Sequence, residues 1–366
     1  MQAPYRAEVV GSLLRPSYLT RAREAHARGE LSAAQFKQIE DRAVDQAIAL
    51  QEGAGVDVVT DGEMRRQVFF DQLIQGIEGL GEAPAAPVRF HGDQPGQDIE
   101  FQAPVCVTGK VRRRRMLTPE EFVYARARAR RPVKVTLPSP LLLFALWSPA
   151  HSREAYPDPF ELFADGAEIV RDEARELVEL GCEYIQIDAP ELCQVLGDPA
   201  QREIWSSLGI APERVFSEGV DLINAAADVA GATVGLHMCR GNYQSRWIAQ
   251  GGYEEVSEQV FPRATNYDVF LLEYDDPRSG SFEPLRKLPD DKTAVLGLIS
   301  SKRDQLEEPE QITRRIEEAT RYAPSEQLAL STQCGFASDA SGNLISETTQ
   351  AAKLRLVADV AHEAWG

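Results

Sequence analysis

His237 and Cys239 stand two residues apart at the end of the apolar run Ala232-Thr233-Val234-Gly235-Leu236. On an extended chain alternate side chains share a face, so the imidazole and the thiol would project together. Such a pair suits two positions of a soft, tetrahedral metal such as zinc. Taken alone the pair is a weak signal, and a half-buried histidine beside an ordinary buried cysteine is its plainer reading. Two later apolar runs end in groups of the same kind, Glu273 after Val269-Phe270-Leu271-Leu272 and Cys334 after Leu328-Ala329-Leu330-Ser331-Thr332-Gln333. One nitrogen, two sulfurs and one carboxylate oxygen match zinc's ligand preferences. A zinc so rich in anionic ligands would exchange a weak one for a substrate thiol and leave that sulfur nucleophilic. Neutral ligands would make the metal a water activator instead. Glu273 taken alone could pair with Arg278. Cys106, Cys182 and Cys193 fall outside the pattern and read as small buried hydrophobes.

The elements that must position these groups are short apolar strands separated mostly by helices. Strand-like runs cover 8–12, 56–63, 133–137, 184–188, 232–239, 269–273, 294–298 and 328–334, and helical periodicity covers 18–27, 32–53, 159–181, 212–230 and 347–364. Near-continuous apolar strands are what a sheet buried on both faces requires. Eight such units predict an α/β fold, a (β/α)8 TIM barrel spanning residues 1–366 as one domain. Residues 83–118, rich in proline, glycine and alternating patterns, predict a β-hairpin-like insertion after the second strand. A doubly wound open sheet is the rival, disfavoured because no glycine-rich phosphate turn follows the first strand. In a barrel the carboxyl ends of the strands share one rim, where active sites lie. Those ends carry Gly11 and Ser12, Asp61 and Glu63, Ser139, Asp188, His237 and Cys239, Glu273 and Cys334.

Composition bounds the rest. A net charge of −18 argues against nucleic-acid or anionic-membrane partners, and the arginine runs at 112–115 and 126–131 read as solvated faces. No stretch reaches the roughly eighteen apolar residues that span a bilayer. Five cysteines, an odd number in 366 residues, do not form a disulfide framework and predict a reducing, cytoplasmic location. A homo-oligomer is compatible with all of this.

Taken together, Val10-Gly11-Ser12, Asp61-Gly62-Glu63, Gln186-Ile187-Asp188-x-Pro190, His237-x-Cys239, Leu272-Glu273 and Thr332-x-Cys334-Gly335 resemble the catalytic carboxyl-terminal barrel of cobalamin-independent methionine synthase, especially its short stand-alone bacterial relatives. The resemblance runs along nearly the whole chain. It implies zinc held by His237, Cys239, Glu273 and Cys334. It implies that Gly11 and Ser12, Glu63 and Asp188 hold the amino-acid end of homocysteine, and that Trp147 packs against a folate ring, although a core tryptophan would read the same way. Two carboxylates do suit an α-ammonium group. The implied activity is a methyltransferase of methionine biosynthesis, moving a methyl group from methyltetrahydrofolate or a methyl-cobamide donor to a small-molecule thiol. There are two departures. The synthase has an additional amino-terminal barrel, absent from these 366 residues, and a histidine after its seventh strand, absent from 295–302. Two alternatives stand beside this reading. One is an epoxyalkane:coenzyme M-type thiol transferase with Arg240 on the sulfonate, and the other a non-catalytic zinc-binding barrel.

Overall fold

The computed structural model describes residues 5–115 and 117–366; Met116, within the predicted 83–118 insertion, and residues 1–4 lie outside it. Eleven strands are formed among the described residues. In chain order they are β1 (Ala7–Glu8), β2 (Ile77–Gly81), β3 (Val88–Phe90), β4 (Ile99–Phe101), β5 (Cys106–Arg113) and β6 (Lys134–Pro138). The remainder are β7 (Tyr184–Asp188), β8 (Thr233–Met238), β9 (Val269–Glu273), β10 (Thr293–Ile299) and β11 (Leu328–Thr332).

Seven of them make one curled parallel sheet in the order β1-β11-β10-β9-β8-β7-β6, with helices outside, so the barrel-type α/β architecture is present. Its two edges are joined by the segment predicted as the second strand. Asp57 N donates to Ala7 O at 2.9 Å on one side, while Val59 N donates to Pro132 O at 3.0 Å and Lys134 N to Val59 O at 2.8 Å on the other. That segment is not a full strand, however, and keeps a single bridge between Val59 and Val133. Its neighbours explain why. The Asp57 carboxylate takes the N–H groups of Arg6 and Ala7. Three residues past Val59 the chain turns left-handed, at Gly62 with φ 71° and Glu63 with φ 55°.

The strand period of two sorts each strand's residues between barrel interior and helical shell. Val269, Leu271, Val295 and Ala329 form a small cluster separate from the large outer core. Glu273 continues the stripe of Val269 and Leu271, His237 and Cys239 continue that of Gly235, and Asp188 continues that of Tyr184 and Gln186. Register completes the arrangement, with Asp188 opposite His237 on neighbouring strands. The side chains of interest are therefore carried inward, at the carboxyl ends.

The antiparallel excursion begins earlier than the pattern suggested. β2 pairs with β5, and within the connection between them β3 pairs with β4, giving two nested hairpins that start at Ile77. The inner one is pinned to the loop after β8, where His91 and Trp247 exchange backbone hydrogen bonds of 2.6 and 3.1 Å. The helix predicted over 212–230 is shorter and broken: Pro212–Arg214, a wider turn at Val215–Gly219, then Val220–Ala226. Ser32 caps Ala33–Ala54 through a reciprocal bond with Gln35, as its position before an apolar helical run implies. Among the described residues no helix is long and apolar enough to cross a membrane.

Candidate metal centre and active site

β8 ends in His237 and Met238, and Cys239 follows directly; Cys334 lies two residues past β11. The turn after β11 brings its thiol back across the rim, so that the ligand atoms of His237, Cys239 and Cys334 all lie within 4.8 Å of one another, each buried. The two sulfurs are 3.9 Å apart. The Cys334 thiol is drawn well below its ordinary range, because Cys239 hydrogen-bonds it and His237 and Lys302 add positive charge, against the cost of burial. Burial alone would depress the His237 imidazole; contact with Cys334 and the nearby carboxylates raises it instead. Neither ring nitrogen of His237 has a well-formed hydrogen bond, an expensive condition for a buried imidazole. A soft cation among two sulfurs and one nitrogen would satisfy all three, so these residues fit zinc.

Glu273 is not in that group. Its Oε1 accepts from Lys302 Nζ at 3.1 Å and its Oε2 from Arg240 N at 2.7 Å. Arg278, the alternative partner, turns away to Asp93 and Asp276. Lys302 follows β10 by three residues, inside the segment 295–302 that carries no histidine. The signal for it was a lysine next to an otherwise apolar strand end, where a buried ammonium demands an anionic partner.

A cavity opens onto this cluster. His237, Cys239 and Cys334 line it together with Gly11, Ser12, Glu63 and Asp188. Burial raises the Glu63 carboxyl, opposed by Arg66 and Arg15, and its Oε1 accepts from Thr136 Oγ1 at 2.8 Å while Oε2 has no partner. Burial likewise lifts Asp188 to about 7, with His237 opposing and Glu63 adding to the rise. Ser12 Oγ accepts from Ala337 N at 3.2 Å. Two glycines permit this closeness. A Cβ on Gly335 would sit 2.1 Å from Ser12 Oγ, and one on Gly11 would sit 2.7 Å from Glu63 Oε1.

Residues 6–363 match the family model "Cobalamin-independent synthase, Catalytic domain". The chain belongs to this family. Its members are methyltransferases, and this synthase-type barrel is similar end to end to the uncharacterized Bacillus subtilis protein YxjH, at 39% identity over 370 residues, covering 100% of this chain and 96% of that one. Methionine synthase from Saccharolobus solfataricus is 27% identical over 332 residues, 90% of this chain and 87% of its own. A crystal structure from Listeria monocytogenes assigned as a vitamin-B12-independent methionine synthase superposes with a TM-score of 0.72 at 29% identity, covering 100% and 99% of the two chains.

Trp147, which the resemblance puts against a folate ring, and Arg240, which the coenzyme M alternative puts on a sulfonate, are both turned away from the cavity. Trp147 is fully buried, its Nε1 donates to Leu208 O at 3.0 Å, and the cavity is lined instead by Phe144 of the same turn. Arg240 is fully buried too, with Nε on Gly251 O at 2.7 Å and its guanidinium over the Tyr253 ring. Asn242 was missed in the sequence; its Nδ2 donates to Gly335 O at 2.8 Å, tying the loop after β8 to the turn carrying Cys334.

Proposed function

We propose that this synthase-type barrel methylates the thiol of homocysteine, giving methionine, at a zinc site held by His237, Cys239 and Cys334 with Glu273 beside it as the fourth family ligand. One observation carries the reading: three soft ligand groups share one cavity with Ser12, Glu63 and Asp188. Zinc bound there would lower the thiol pKa and hold the sulfur as a nucleophile. The chain's own residues do the rest. Glu63 and Asp188 offer carboxylate oxygens to an α-ammonium group, and Ser12 with its neighbouring backbone N–H groups suits the α-carboxylate. That grip orients the sulfur toward the cluster and leaves the remaining volume of the cavity to the methyl donor. From the resemblance that donor is methyltetrahydrofolate or a methyl-cobamide.

A coenzyme M transferase loses its proposed sulfonate holder, since Arg240 does not line the cavity. A purely structural zinc site would be closed to solutes, whereas this cluster opens onto a cavity.

The ligand set is tested by metal content and methionine formation together. Cys239→Ser and Cys334→Ser are expected to remove zinc and lower kcat by more than the roughly 10–100-fold that losing a group merely supporting a metal ligand costs. Glu63→Gln and Asp188→Asn should keep zinc and raise the KM for homocysteine. Full zinc in both cysteine variants would refute the centre.

A further inference from the structure

Glu63 has one oxygen engaged and one free, and the residues behind it decide which is which. Its Oε1 accepts from Thr136 Oγ1 at 2.8 Å, while its buried Oε2 has no partner. Behind Thr136 stands Arg66. Its Nη1 donates to Thr136 Oγ1 at 2.9 Å and to Phe69 O at 3.2 Å. Its Nη2 donates to Glu121 Oε2 at 2.7 Å and to Thr136 O at 3.1 Å, and its Nε to Glu121 Oε2 at 3.1 Å. A guanidinium carries five N–H groups and no acceptor, so these partners use all of them. No hydrogen bond is left for Glu63, although Arg66 Nη1 lies only 3.7 Å from Glu63 Oε1.

The hydroxyl between the two charges has a single hydrogen. Arg66 can only donate, so the Thr136 oxygen accepts on that side and turns its hydrogen to Glu63. The Glu63 backbone is fixed as well. It is left-handed, a conformation that strains a residue other than glycine, and its N–H donates to Asp61 Oδ1 at 2.8 Å. On the other flank the backbone of Gly11 closes the space. A Cβ there would meet Glu63 Oε1 at 2.7 Å and Thr136 Cγ2 at 3.1 Å. Opposite charges this close attract strongly in a buried setting. Without the hydroxyl, the carboxylate would close onto the guanidinium and withdraw from the chamber. We propose, resting on the homocysteine reading of this site, that Thr136 is a positioning residue for the ammonium subsite: its hydroxyl keeps Glu63 out of a direct ion pair with Arg66 and reserves Oε2 for the substrate's amine. Arg66, anchored by Glu121, sets the direction of that hydroxyl. The device acts on selectivity among thiols. It matters to a ligand that carries an α-ammonium group and is indifferent to one that does not.

The probes are homocysteine and 4-mercaptobutanoate, which has the same thiol and carboxylate but no amine. Binding of each to the zinc-loaded protein is measured by calorimetry. Thr136→Val keeps a similar shape and removes the hydroxyl. It should weaken homocysteine by about tenfold, the scale of one hydrogen bond to a charged group, and leave 4-mercaptobutanoate unchanged. Thr136→Ser keeps the hydroxyl and should bind homocysteine as the unmodified protein does. In turnover the loss in Thr136→Val should fall on the KM for homocysteine and not on kcat. Equal weakening of both thiols would reveal a structural role alone and overturn the proposal. Unchanged homocysteine binding in Thr136→Val, or a Thr136→Ser that behaves like it, would overturn it too. Should Thr136→Val not fold, Thr136→Ala carries the same comparison. If the unmodified protein binds the two thiols alike, the ammonium subsite itself fails, and the homocysteine reading falls with it.

Discussion

Lys134 and Lys302 are both buried and each meets a glutamate, one at the amino ends of the strands and the other at the carboxyl ends. Lys134 Nζ lies 2.9 Å from Glu8 Oε2, and Tyr184 OH reaches the same carboxylate at 3.0 and 3.2 Å. No side-chain atom of that trio lacks a partner. Lys302 Nζ lies 3.1 Å from Glu273 Oε1, among groups that are not satisfied: both His237 nitrogens, Glu63 Oε2, Glu191 Oε2 and Asn242 Oδ1 have no partner. The same pair of residue types thus does different work. Where the polar set is complete, nothing remains for a ligand to bind, and the pair acts as a structural plug in the barrel. Where it is incomplete, the deficit marks the place a metal and substrate would fill.

Breaking the plug has the largest expected effect. Lys134→Met strands the Glu8 carboxylate in the interior, and removal of one partner from a buried pair costs about 3–5 kcal/mol. Chemical denaturation should show this loss equally with and without zinc, while the KM for homocysteine in the remaining folded protein stays unchanged. A zinc-dependent loss would mean that the two ends are coupled and the contrast is false.

The second test uses Glu191, one of the rim carboxyl groups with an unpartnered oxygen. Burial lifts it to about 8 from an ordinary value of 4.5, against the hydrogen bond with Ser139 at 2.5 Å. The folded state therefore keeps this proton where the unfolded chain has lost it. The stabilisation is fully present below about pH 4.5 and disappears as pH rises through about 8, at up to about 1.4 kcal/mol per pH unit. Glu191→Gln, permanently neutral, should remove that slope from a plot of unfolding free energy against pH. An unchanged slope would assign it to other groups.

Much of this contrast was legible in the sequence, and what was not has physical causes. The rim residues announced themselves because polar side chains at the ends of apolar strands are conspicuous, and alternation fixed which of them point inward. His237 and Cys239 needed only that rule; Cys334 needed the barrel as well, since 95 residues separate it from Cys239. The segment before Glu63 looked like a strand by composition, yet hydrogen bonding around Asp57 and the left-handed turn at Gly62 and Glu63 reduced it to a bridge. Trp147 could not be placed by pattern, because whether an aromatic ring in a turn faces core or cavity depends on neighbours distant in sequence. Lys302 was hidden for the opposite reason. Its only mark in the sequence is closeness to an apolar run, and its partner Glu273 ends a different strand, 29 residues earlier.

The finest test concerns Lys302 itself. In the zinc-free protein, Lys302→Met leaves the Glu273 carboxylate with the Arg240 N–H as its remaining hydrogen-bond donor, and a loss near 3 kcal/mol is expected, on the order found for broken buried pairs. With zinc loaded, the carboxylate has a second cation within reach, so part of that cost is offset. The loss should then shrink by roughly 1 kcal/mol or more, since a charged hydrogen-bonding partner is worth about that much. X-ray absorption should show an added oxygen neighbour on the metal in the variant, because the lysine no longer competes for Glu273. Lys134→Met supplies the control, since among the described residues the group that could hold a metal is His237, Cys239 and Cys334, at the other end of the strands from Glu8. Equal losses with and without zinc in Lys302→Met would show that Glu273 does not exchange partners, and the rim pair would then be a second plug.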